Sequence, residues 1–329
     1  MAPDFETVRN DLRMKTVYLA DGEDALDGLM WYKTKAFDRV VTRDAAEEYD
    51  KEYAEYSQSQ GSSVPLDTPS APSPATLSAI VRLSNYKYFM TACSDWHPDF
   101  SKAILPLKDV RPSAIAEDPC LAALSGDFEA AWGAIDELIR GVLPVETDAM
   151  QSIGVIDRAK RPYFGFKVGH KVFEKIQNTV DAPRRQAEDP PDDEDSDEEL
   201  EPEFAIENWP LANPEAEIHL DKLSRTHLAK PIPAYNLAGH LIRPSRYAAE
   251  LKGAIVRLEF SLNHWFINSR HIFTADVTRI RVLVPPPPFD TPTPKRKRVA
   301  KVDDFYDDDG DTDSPPPTPT KRAKYANGS

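Results

Sequence analysis

The chain has 329 residues, with 40 Lys and Arg against 55 Asp and Glu, a formal net charge of −15, 30 prolines and a mean hydropathy of −0.52. Part of such a chain cannot pack, and attraction to phosphate can only be local. Two cysteines, Cys93 and Cys120, exclude a disulfide scaffold; no long apolar run or secretion signal is visible, so a reducing compartment and no membrane partner are expected.

Residues 1–56 read as an N-terminal helical segment, clearest in DAAEEYDKEYAEY, where Asp44 as N-cap and Glu47 form a capping box. Tyr49, Tyr53 and Tyr56 share one face, a spacing that fits either packing against the body or a recognition surface. Residues 57–76, rich in Ser and Pro, read as a linker. Residues 77–182 form the first part of an α+β core. LSAIVRLSNYKYFMTAC predicts one or two strands. SGDFEAAWGAIDELIRG predicts an amphipathic helix carrying Phe128, Trp132, Ile135 and Ile139, capped by Ser125 or Asp127 and closed by Gly141. SIGVI and YFGFKV then predict short strands, and HKVFEKIQNTV a second helix.

Residues 183–203 are expected to be a disordered insertion, because 188–203 hold 11 acids, no base and nothing to bury. Residues 204–284 form the second part of the core. Ala254, Val256, Leu258, Phe260 and Leu262 alternate with Ile255, Arg257, Glu259 and Ser261, as a strand with one buried face requires. In the next strand the apolar phase slips between Phe273, Ala275, Val277 and Ile280, Val282, Val284, which predicts a β-bulge near Thr278 and Arg279. Pro285 to Pro288 end the sheet. The tail, 285–329, has no core. It carries the basic clusters Lys295, Arg296, Lys297, Arg298 and Lys321, Arg322, Lys324, with Thr291, Thr293, Ser314 and Thr318 before prolines. Such clusters fit an import receptor, and phosphorylation beside them would offset their charge.

None of the phosphate-loop, dinucleotide, nucleophile-elbow or zinc-protease motifs occurs, so no catalytic residue, cofactor or metal is assigned. Cys93, Asp95, His97 and Cys120 could meet in a zinc site, but C-x-x-x-H spacing alone recurs by chance, and a small buried thiol beside a surface imidazole is the preferred reading. Five of the seven histidines, His264 and His271 among them, fall in 204–284 without metal-ligand spacing. What stands out is basic and aromatic interleaving, suited to neutralising phosphates and stacking bases. In RAKRPYFGFKVGHKVFEK it joins Lys167 and other bases to Tyr163 and Phe164; in the last strands, Arg257, Arg279 and Arg281 accompany Trp265 and Phe266. A half-buried strand with a solvated basic face would carry the same letters.

The stretch IPAYNLAGHLIRPSRYAAELKGAIV, followed by NHWFI and a closing strand, resembles the end of OB-type single-strand-binding domains over residues 231–284. The whole chain also looks like a family of proteins from mushroom-forming fungi, a resemblance that implies no activity. The expected fold is α+β, an OB-like or small β-barrel core with added helices, interrupted by the acidic disordered loop. The expected role is a nuclear, non-enzymatic protein that binds nucleic acid weakly, as single strands, with an adaptor that contacts a basic nuclear protein through its acidic insertion as the alternative.

Overall fold

The computed structural model describes residues 3–34, 36–60, 67–97, 106–143, 152–156, 165–176, 202–211 and 214–287. Two units divide the chain, Met1–Pro287 and Pro288–Ser329; the second lies wholly outside the described residues, as does most of the acidic insertion. Helix α1 (Phe5–Lys15) starts where the Asp4 carboxylate accepts from the amides of Glu6 and Thr7, and it ends with Arg13 and Lys15 in its last turn. After β1 (Val17–Tyr18) and the short α2 (Glu23–Leu26) comes a hairpin, β2 (Leu29–Lys33) and β3 (Asp38–Thr42). The segment expected to be helical therefore supplies three strands as well. Its strands are too short, and too broken by charge, to show a period. Helix α3 (Arg43–Ser59) takes Thr42 as its N-cap in place of Asp44, because the preceding strand runs to Thr42.

The stretch read as one or two strands yields one, β4 (Leu77–Leu83). It is followed by β5 (Ser113–Glu117) and α4 (Asp127–Val142). Neither Ser125 nor Asp127 caps α4; Gly126 does so at φ 87°, a left-handed conformation that suits glycine. Next come β6 (Ser152–Ile153), β7 (Phe166–Gly169) and β8 (Phe173–Lys175). Phe173–Lys175 was expected to be helical. It is extended because it pairs with β9 (His227–Ala229), and because Val172 and Phe173 are both buried. Helix α5 (Glu215–Ser224) precedes β9; β10 (Ala234–Tyr235) and α6 (Tyr247–Leu251) lead to the two long strands β11 (Ile255–Ile267) and β12 (Arg270–Val284). The expected bulge is present: Glu259 pairs with Arg279 and Phe260 with Val277, leaving Thr278 without an opposite residue.

Strand pairings close a circuit of five, in the order β4, β5, β7, β12, β11 and back to β4, every pair antiparallel except β7 with β12. Leu77, Ala79, Val81, Ala114, Phe166, Val168, Phe260, Leu262, Phe273 and Ala275 belong to one buried cluster, to which α4 adds Phe128, Ile135 and Ile139. Full burial of each large side chain contributes about 1.5–3 kcal/mol. The second face of β11 is also covered. Ile255 packs with Leu12, Tyr18, Ile80 and Leu124 beneath α1, while Glu259 and Ser261 are buried beside it. The strand with one buried face is in this half buried on two. Gly154, at φ +121°, lets the β6 segment approach β12 closely, since a Cβ there would lie 1.9 Å from the Phe273 carbonyl oxygen.

Candidate nucleic-acid interface

Beyond Leu262 the β11–β12 ribbon leaves α1 behind and meets β3, where Asn263 pairs with Arg39 and His264 with Asp38. Its two-residue turn, Asn268 and Ser269, has positive φ at both positions, as a tight hairpin matching strand twist requires. Alternation divides this end into two faces. On the inner face, the Asp38 carboxylate lies 3.0 Å from Nδ1 of buried His264, and His264 Nε2 lies 2.9 Å from Nδ1 of His271. One proton per contact satisfies this chain: His264 Nδ1–H donates to Asp38, and His271 Nδ1–H donates to His264. Burial, reinforced by His264, holds the His271 pKa below its ordinary 6.5. Trp31 and Phe273 pack against the His264 ring.

The outer face carries Trp265, whose ring stacks on Phe37 at 5.1 Å, and the Arg39 guanidinium lies over the same Phe37 ring at 5.0 Å. In register with Arg39 are Asn263 on β11 and Thr274 on β12. Asn263 donates to Asp276 at 3.1 Å, and Asp276 also accepts from Arg111 at 2.7 Å. Three buried atoms here lack a hydrogen-bond partner: Arg39 Nε, Arg111 Nε and Thr274 Oγ1. Lys167 lies exposed on β7 one position before Val168, the partner of Ala275. Arg39, Arg111 and Lys167 against Asp276 leave this face cationic.

The residues singled out in the sequence are distributed unevenly around this end. Trp265 is half-buried on the outer face, whereas Phe266 is 64% exposed on the other side, its ring against His271. Arg279 pairs seven positions along β12 from Ile272, the residue opposite Trp265, so it lies roughly 20 Å away. Its guanidinium lies over Tyr235, and Arg281 donates to the Leu237 carbonyl. Arg257 is committed to Glu259 and Asp11 beneath α1, which leaves it no phosphate to meet. Tyr163, Phe164 and both basic clusters of the tail lie outside the described residues. Sequence reasoning missed Phe37, Asp38, Arg39 and Arg111. Only pairing with β11 brings the first three to the site, and a strand hidden between charges gave no signal of it. Cys93 is buried and Cys120 exposed.

No protein-family model, curated protein or solved structure matches this chain.

Proposed function

We propose that the five-strand circuit is an OB-type barrel and that the outer face beside its last hairpin binds single-stranded nucleic acid. The observation that carries this reading is the strand order. Three strands, then a crossover, then an antiparallel hairpin whose second strand runs parallel to the third, form a closed Greek-key circuit. In such barrels the second and third strands and the turn between the last two strands receive oligonucleotides. Here those elements are β5, β7 and the Asn268–Ser269 turn, next to Trp265, Phe37, Arg39, Arg111 and Lys167. Aromatic faces supply sequence-tolerant stacking, and the cations neutralise phosphates in small number, which fits weak binding. The reading is of a binding protein and assigns no catalysis. In the cell it would act in the nucleus, delivered by an import receptor that recognises the Lys295–Arg298 and Lys321–Lys324 clusters.

The test is a fluorescence titration of the full chain with a short oligothymidylate and with a duplex of equal length, at low and moderate salt, repeated on Trp265→Ala and Arg39→Ala. Preference for the single strand, lost in both variants while circular dichroism is unchanged, supports the interface. A folded parent that binds neither probe at low salt overturns it. For localisation, a fluorescent fusion with both basic clusters changed to Ala should remain cytoplasmic, and an undiminished nuclear signal would refute the import role.

A further inference from the structure

Among the described residues, helix α3 is held mainly at its N-terminal end, and its far end is touched by Thr68, whose hydroxyl donates to the Tyr56 hydroxyl at 3.1 Å. Thr42 caps it, Ala46 is its one buried residue, and almost everything from Asp50 to Gln60 is exposed. Two ridges run along this projecting part. Tyr49, Tyr53 and Tyr56 continue a ladder begun by Tyr32 of β2, with successive ring centroids 5.6, 5.8 and 5.9 Å apart. Each tyrosine follows a glutamate, so Glu48, Glu52 and Glu55 form a second, exposed ridge one residue and about 100° away. Ala46 and the Tyr32–Tyr49 contact turn the opposite flank of the ladder toward the body, which leaves the carboxylate ridge toward solvent.

This arrangement is costly for an isolated helix. Glu48 with Glu52, and Glu52 with Glu55, are like-charged neighbours at spacings where repulsion opposes helix formation. Arg43 and Lys51 are the helix's bases against six acids, Asp44, Glu47, Glu48, Asp50, Glu52 and Glu55. Tyr53 is 48% exposed although it belongs to an aromatic ladder. A cationic occupant relieves both features at once, because guanidinium groups stack on tyrosine faces while pairing with the adjacent carboxylates. A nucleic acid is repelled by the same surface. We propose that α3 is the docking surface for an arginine-rich segment of a partner protein, seated along the Tyr49–Tyr53–Tyr56 ladder and the Glu48–Glu52–Glu55 ridge. This surface adjoins the nucleic-acid interface, since Tyr32 is the register partner of Arg39, but the inference does not rest on that reading.

The experiment is fluorescence anisotropy on the full chain with a labelled peptide of alternating arginine and alanine, beside its lysine and its glutamate counterparts. The arginine peptide should bind tighter than the lysine peptide of equal charge, and the glutamate peptide should not bind. Replacing Glu48, Glu52 and Glu55 by Gln, which keeps helix propensity, should weaken both cationic peptides by roughly tenfold. Tyr53→Ala with Tyr56→Ala should abolish the preference for arginine over lysine, with helix content checked by circular dichroism. Affinities equal in the parent and the Gln variant would place binding on other acids of the chain and overturn the proposal. So would a parent that binds neither cationic peptide, or an arginine preference that survives loss of both tyrosines.

Discussion

From Ile255 to Leu262, β11 is covered on both faces, by the circuit's interior on one and by α1 on the other; from Asn263 to Ile267 it is covered by α1 on neither. The near half holds its polar residues in closed pairs, Arg257 with Glu259 and Asp11, and Ser78 with Thr16 on the neighbouring strand. The far half holds a stacked Trp265–Phe37 pair, an exposed Phe266 and donors with no partner. Both halves contain cations and hydroxyls, so composition does not distinguish them. Whether a second layer has consumed a charge decides if it can meet a ligand, and that is a property of packing.

Variants that remove the near half's interior should have the largest effect. Phe260→Ala takes a fully buried ring from contact with Phe166 and should lower unfolding free energy by about 3–5 kcal/mol, read by urea denaturation. A loss below about 1 kcal/mol would mean that this half is not the structural one. Arg257→Leu should come next. It leaves Glu259, only 8% exposed, without its cation; partial solvent screening of Asp11 reduces the cost to about 2 kcal/mol. Oligonucleotide affinity of the folded fraction should not change, and a clear loss of affinity would return Arg257 to the interface.

Acid should separate the halves further. Burial depresses the pKa of His170, whose ring nitrogens face the Val277 and Lys230 carbonyls, and also that of His271. The neutral rings are favoured in the folded state, so their contribution is present above the ordinary value of 6.5 and is lost as pH falls from there through the folded pKa values. Each pKa difference of one corresponds to ~1.4 kcal/mol. Denaturation between pH 7.5 and about 5 should show stability falling with pH, and His170→Gln should flatten that slope more than His271→Gln, since His170 is the more buried. A steeper dependence from His271 would place the titrating centre at the far end.

The alternation of Ala254 to Leu262 and the bulge at Thr278 were legible because a strand with a buried face must keep its period, and a slip in that period has to be absorbed by an extra residue. The helix at Asp127–Val142 was legible for the same reason with its own period. The cover of α1 over Arg257 and the arrival of Phe37 and Arg39 beside Trp265 were not legible, because each depends on a contact across more than two hundred residues. The strand at Phe173–Lys175 was misread as helix since Val172, Phe173 and Ile176 suit either period, and pairing with His227–Ala229 decided between them. Of the expected aromatic pair, adjacency in sequence concealed that Trp265 and Phe266 belong to opposite faces.

That last distinction gives the smallest stability effect and the finest test. Phe266 is 64% exposed and touches His271, so Phe266→Ser should change unfolding free energy by less than about 0.5 kcal/mol. Trp265→Ala removes the stack on Phe37 and should cost more, about 1 kcal/mol, because a half-buried aromatic pair is lost. Their effects on oligonucleotide binding should differ in a way that stability does not explain. If bases stack on the outer face, Trp265→Ala weakens binding by ~1–3 kcal/mol while Phe266→Ser leaves it nearly unchanged. If the strand instead crosses the hairpin tip, Phe266 is the better platform and the order reverses, with the His271 side as the path. Titrating both variants with the same oligothymidylate, at a salt concentration where the parent is half-saturated in the micromolar range, separates the two paths. Equal small losses in both would show that neither ring is a stacking platform, and would reduce the interface to its cations Arg39, Arg111 and Lys167.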